Sequence, residues 1–165
     1  MSTCNLQQRL EQFLYREARL LDDRQWDDWL ACYHPQVEYW MPAWADDDRQ
    51  TTDPHSEISL IYYANREGLE DRVYRIKTER SAASSMPEPR TVHLISNVEL
   101  LSSGAEQAEV NYHWATFYHR YNHTDTYFGS TRLWIDLTGD ALQIKRKKIR
   151  LDNDYINHVI DIYHL

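Results

Sequence analysis

"TVHLISNVELL", Thr91–Leu101, is where the chain changes its period. Before it, apolar residues recur every third or fourth position. From here they alternate with polar ones, the repeat of a half-buried strand. A turn at Ser102-Ser103-Gly104 follows, then a second strand over Val110–Tyr121 and a third over Tyr127–Leu137. Thr138-Gly139-Asp140 is the next turn, and Ala141–Leu151 the fourth strand. The links are short, so consecutive antiparallel pairing, a meander, is expected.

The fourth strand carries an irregularity. Its apolar residues sit at even positions early (Leu142, Ile144) and at odd positions late (Ile149, Leu151). A strict two-residue alternation cannot place all four on one side. A bulge between Lys145 and Lys148 restores the phase and bends the sheet, the curvature that wraps strands around a helix into a cone.

Upstream the pattern is helical. Leu6, Leu10, Phe13, Leu14, Ala18 and Leu21 form one stripe. Asp22 or Asp23 is expected to cap a second helix in which Trp26, Trp29, Leu30 and Tyr33 share a face, ended by His34-Pro35. "VEYWMPAW" reads as a short strand stopped by Pro42, and "ADDDRQTTD" as an acidic loop. Asp53-Pro54 signals a third helix in which Ile58, Ile61, Tyr62, Asn65, Leu69, Val73 and Ile76 keep helical spacing, with Gly68 as a possible break. "SAASSMPEPR", Ser81–Arg90, reads as a loop. No repeat or linker interrupts the chain, so residues 1–165 are expected to form one α+β domain: N-terminal helices packed on a strongly curved, mainly antiparallel sheet.

Composition narrows the function. Of 165 residues, 42 % are hydrophobic, as in globular proteins. Six Trp and twelve Tyr are many for this length; such residues build either a large aromatic core or a protein–protein surface. A net charge of −8 opposes general nucleic-acid binding. No apolar run approaches a membrane span, and "MSTCNLQQRLEQ" lacks the basic and apolar regions of a signal peptide. Cys4 and Cys32 read as reduced thiols of a cytoplasmic protein.

"VNYHWATFYHRYNH", Val110–His123, raises the question of chemistry. On a strand His113 and His119 share a face with Ala115 and Phe117, about 20 Å apart and too far to ligate one ion. Hydrogen-bonded wall or interface positions are the reading for both, and His123 falls in the turn "YNHTD". The basic run "KRKKIR", Lys145–Arg150, alternates between faces and reads as a solvated or subunit-contacting strand. Asp46, Asp47 and Asp48 read as a solvated loop. No paired cysteine motif, metalloprotease helix, phosphate loop or nucleophile elbow is found. Both faces of the meander carry aromatic residues, so one face is expected under the helices and the other under a second chain. Trp114, Tyr118, Phe128, Arg132 and Trp134 are the assembly-interface candidates.

Over Glu11–Leu165 the chain resembles the small (beta) subunit of Rieske-type aromatic-ring-hydroxylating dioxygenases. The resemblance rests on "FLYREARLLDDRQWDDWLACYHP", "EISLIYYANREGLEDRVYRIKTERS", "PRTVHLISNVE" and "DNDYINHVIDIYHL". "WMPAW" and "SLIYYANREGLEDRVYRIKTERS" fit the benzoate, toluate, halobenzoate and anthranilate branch, with the benzoate 1,2-dioxygenase type favoured. The resemblance implies a nuclear-transport-factor-two-like (cystatin-like) cone and an assembly of three large (alpha) and three small subunits. It places the Rieske iron–sulfur cluster, the mononuclear iron and the substrate pocket in the large subunit, with electrons supplied by a separate NADH reductase. No catalytic, cofactor-binding or metal residue carries over to this chain. Arg90, His93 and Asn97, in the family-like "RTVHLISN", are expected to fix the first long strand to its neighbours. Two alternatives stay open: a stand-alone dehydratase or isomerase using His93 or His113 with a carboxylate such as Asp22, and a small-ligand binding module.

Overall fold

The computed structural model describes residues 3–79 and 87–165, Thr3 and Cys4 by their backbone alone. Most of the loop expected over Ser81–Arg90 therefore lies outside the described residues. Helix α1 spans Thr3–Asp22 and buries Leu10, Leu14, Ala18 and Leu21, the expected stripe. Its end is a left-handed cap made without glycine: Arg24 has φ 56° and donates to Leu21 O, while Gln25 N donates to Leu20 O.

That cap corrects the second helix. Asp22 and Asp23 belong to the end of α1, and α2 (Trp26–Ala31) has Gln25 at its N-cap with no side-chain cap. Tyr33 already lies in strand β1 (Tyr33–Pro42), as do His34 and Pro35. Pro35 is tolerated because β1 departs from regular pairing between Tyr33 and Glu38, where no N–H is required of it. Pro42 ends the strand, as expected.

The third helix is shorter than its pattern suggests. Asp53 closes a turn, accepting from His55 N at 2.9 Å and Ser56 Oγ at 2.6 Å. Ser59–Tyr63 then forms strand β2, antiparallel to β1 with Met41 opposite Ile61 and Tyr39 opposite Tyr63. Ile58, Ile61 and Tyr62 fit a helical period by spacing alone; the paired edge of β1 decides for strand. Helix α3 (Arg66–Glu79) starts after Asn65, whose Oδ1 accepts from Glu67 N at 2.9 Å, and buries Leu69, Val73 and Ile76. Gly68 does not break it. A Cβ there would stand 2.3 Å from Tyr63 Cδ1, so glycine lets β2 and α3 pack together.

The meander follows as β3 (Arg90–Ser103), β4 (Gln107–Arg120), β5 (His123–Asp136) and β6 (Gln143–Leu151). All three consecutive pairs are antiparallel. The β4–β5 link is two residues, Tyr121 and Asn122, both at positive φ, so His123 belongs to the strand rather than the turn. Strand β6 closes against β1 in parallel, giving the open order β2-β1-β6-β5-β4-β3.

The bulge lies where the phase change placed it. Ile135 faces Ile144 but Trp134 faces Arg146, leaving Lys145 as the extra residue. Further register shifts interrupt β1 at Met41/Pro42 and β3 at Ser96/Glu99 and Leu100/Ser102. α1 covers β3 and α3 covers β1, and the core fills the space between these helices and the concave side of the sheet. This is the expected α+β cone, a curved sheet that stays open at its two edges.

Candidate functional site

The centre of the cone is occupied by an ion pair. Lys145 is bulged out, so Lys147 turns inward and is 2 % exposed. Its Nζ lies 3.2 Å from Glu17 Oε1 and donates to Tyr33 Oη at 3.1 Å. The same carboxylate oxygen accepts from Trp29 Nε1 at 2.9 Å and Tyr33 Oη at 2.6 Å. Burial alone pushes the Glu17 carboxyl up, but the Lys147 ammonium and these donors outweigh it and hold it below its usual range. Burial pushes Lys147 down, and the Glu17 charge reverses that and raises it. Tyr39 and Tyr112 complete the packing and are held neutral, chiefly by burial.

A second polar cluster joins α1 to β3. Asp22 Oδ1 lies 2.5 Å from His93 Nδ1 and accepts from Thr91 Oγ1 at 2.9 Å, while Oδ2 accepts from His93 N at 3.0 Å. Burial raises the Asp22 carboxyl and the His93 contacts more than reverse it, leaving it below its usual range. Asn97, at φ 53° in the β3 irregularity, places Nδ2 3.0 Å from His113 Nδ1. Arg90 is exposed at the start of β3.

The other histidines also have local partners. His119 Nδ1 meets Thr124 Oγ1 at 2.8 Å, and His123 and His158 both approach Asp125, at 3.0 and 3.3 Å. His164 lies in the final 3₁₀ turn (Ile162–His164), where its Nδ1 accepts from Asp161 N at 2.8 Å. Burial, with the charges of His158 and His93, holds its imidazole down to about 3. An ordinary imidazole takes up its proton near pH 6.5, so between 6.5 and about 3 the unfolded chain binds a proton that the folded chain does not. Stability therefore falls as pH is lowered through that window, by about 1.4 kcal/mol per pH unit from this group. Urea midpoints measured from pH 7 to pH 4 should decline for the wild type and decline less steeply for His164→Phe.

Cys32 and its neighbour His34 do not suit an iron centre. Cys32 is buried beside Arg16 Nη1 at 3.7 Å, and burial with the Glu17 charge pushes its thiol up to about 12, against the thiolate that ligation requires. His34 Nδ1 accepts from Gln36 N at 3.1 Å. Among the described residues, no group of three His, Cys, Asp or Glu side chains is placed to hold a metal ion.

The convex face of the sheet differs. Val92, Leu94, Phe117 and Phe128 are 54, 51, 42 and 46 % exposed and adjacent in register: Val92 faces Phe117, and Leu94, Ala115 and Phe128 form a row. Beside them runs a stack of cations on indoles. The Arg132 and Arg146 guanidinium carbons lie 5.7 and 4.7 Å from the Trp134 ring centroid. Lys148 lies 4.8 Å from that of Trp40, and Arg150 5.3 Å from that of Trp44. "KRKKIR" thus resolves into a bulged Lys145, an inward Lys147 and three outward cations. Phe128, Arg132 and Trp134 stand on this face. Trp114 and Tyr118 do not: at 5 % and 6 % exposed they lie in the chain's own core, because the even positions of β4 face the helices. Sequence reasoning missed Trp40 and Trp44 on this face, and Glu17 and Lys147 inside.

Comparison with known proteins gives the family. The family profile described as ring hydroxylating beta subunit matches residues 16–158, and the chain belongs to that family. Within it, the chain is 54 % identical to the benzoate 1,2-dioxygenase beta subunit of Acinetobacter baylyi, over all of this chain and 96 % of that one. It is 53 % identical to the toluate 1,2-dioxygenase beta subunit of Pseudomonas putida, over 93 % of this chain and 94 % of that one. The crystal structure of the benzoate 1,2-dioxygenase beta subunit from Burkholderia mallei superimposes with a TM-score of 0.83 at 49 % identity, covering 94 % of this chain and 95 % of that one.

Proposed function

We propose that this chain is the non-catalytic small subunit of the oxygenase component of a benzoate 1,2-dioxygenase. In this reading three copies assemble with three large subunits in the cytoplasm. The large subunit holds the Rieske cluster, the mononuclear iron and the ring carboxylate, and a separate NADH reductase supplies electrons. The role of this chain is to hold that assembly in register.

The observation that carries the reading is the convex sheet face. Large apolar side chains half open to water, flanked by Arg132 and Trp134, have the composition of an interface core rather than a solvated surface. The interior supports it from the other side. A cone whose centre is a satisfied Glu17–Lys147 pair offers no open chamber there for an aromatic acid. The dehydratase alternative finds its His–carboxylate pair in Asp22 and His93, yet both Asp22 oxygens are engaged in joining α1 to β3.

Phe128→Asp tests the surface directly. It places a charge at the β5 end of the apolar row, beside the cation–indole stack, on a side chain that is 46 % exposed. The variant should fold with an unchanged melting temperature and lose about 100-fold in association with its partners, measured by co-purification with the large subunit and by sedimentation. Normal association by a folded variant would remove this face from the interface.

A further inference from the structure

Several buried polar atoms of the cone have no hydrogen-bond partner among the described residues, and four of them belong to residues that neighbour one another. His93, Thr116 and Tyr127 are direct cross-strand neighbours on the concave side of β3, β4 and β5. The ring of His164 packs 4.7 Å from that of Tyr127, centroid to centroid, bringing the final turn over the same row. The unpartnered atoms are His93 Nε2, Thr116 Oγ1, the Tyr127 hydroxyl and His164 Nε2. The His93 side chain is 2 % exposed, and Thr116, Tyr127 and His164 are 0, 1 and 1 % exposed.

Their chemistry can be assigned from the bonds on the other side of each ring. His93 Nδ1 faces a carboxylate oxygen at 2.5 Å, so it carries a proton there, and Nε2 on the far side of the ring is the polar atom left to find a partner. His164 Nδ1 accepts from a backbone N–H, so its Nε2 carries the proton and donates. The two hydroxyls can do either. A donor on His164, two hydroxyls that can donate or accept, and the second ring nitrogen of His93, all buried, match water, which both donates and accepts. Leaving each unsatisfied would cost the full desolvation of that group, and four together would rival the whole stability of a small domain.

We infer that His93 Nε2, Thr116, Tyr127 and His164 Nε2 form a built hydration site, in which one or more ordered waters tie the C-terminal turn to β3 and, through Asp22, to α1. The site is independent of the assembly reading, since all of its residues belong to the subunit's own core. Its role is to pin the chain after β6 onto the concave face, where Asp161 also receives the Arg72 guanidinium.

Two measurements on the full chain test it together. A high-resolution crystal structure should show water-sized density within hydrogen-bond reach of His93 Nε2 and at least one of the other three atoms. Tyr127→Phe and Thr116→Val, which remove the hydroxyls without changing shape, should each lower the melting temperature by several degrees, because the water then loses a partner. Direct side-chain contacts without water, density too large for water, or melting temperatures unchanged or raised by both substitutions would each overturn the inference. Removing a hydroxyl that truly has no partner stabilises a core.

Discussion

Lys147→Ala should destabilise the subunit by about 3–5 kcal/mol, enough to unfold much of it at physiological temperature. The loss comes from what is left behind. Glu17 is 3 % exposed, and its charge is tolerated there because an ammonium stands 3.2 Å away. Without it the carboxylate must stay charged in an apolar surround or take up a proton, and either costs free energy. Replacing both partners separates the pair from its burial. Glu17→Gln with Lys147→Met keeps the volume, removes both charges and should recover most of the loss. Chemical unfolding of the wild type, the single variant and the double variant measures the coupling; a single variant as stable as wild type would show that the pair is not the core's centre.

Gly129→Ala should be comparably damaging for a purely steric reason. Gly129 lies in β5 between Trp114 of β4 and Leu151 of β6. A Cβ there would stand 1.8 Å from the Arg150 carbonyl oxygen and 2.9 Å from its carbonyl carbon. Both are backbone atoms of a paired strand, so β6 must move away. The Asp152 N to Phe128 O hydrogen bond, at 2.8 Å, is the first contact at risk. A loss on the order of 3 kcal/mol or more in urea unfolding is expected. At Gly68 a Cβ would stand 2.3, 2.6 and 2.9 Å from Tyr63 Cδ1, Cγ and Cβ, and turning the ring leaves Cβ in place, so Gly68→Ala should also destabilise by forcing β2 and α3 apart.

Much of this architecture was legible in the residues. The change of period at Thr91 marked the meander, and the even-to-odd shift of β6 located its bulge at Lys145. The same shift, carried two residues further, sends Lys147 inward. Its partner was also within reach, since Glu17 falls in the Leu10, Leu14, Leu21 stripe of α1. What could not be read was a choice between equals. Ser59–Tyr63 satisfies both helical and strand spacing, and only pairing with β1 decides it. Both faces of β4 are aromatic, so alternation sorts its residues into two sets without saying which set the helices cover. Trp114 and Tyr118 read as outward for that reason, although they are buried. The Asp22–His93 contact joins residues 71 positions apart and leaves no local pattern.

Under the proposed function this chain builds the oxygenase rather than carrying out its chemistry, and one measurement bears on that directly. The purified chain alone, supplied with the reductase, NADH, dioxygen and benzoate, should bind no iron and release no dihydrodiol. The same preparation mixed with the large subunit should co-elute with it and form product in proportion to the large subunit present. Iron-dependent product from the isolated chain, or full activity of the large subunit in a mixture from which this chain is excluded, would contradict it.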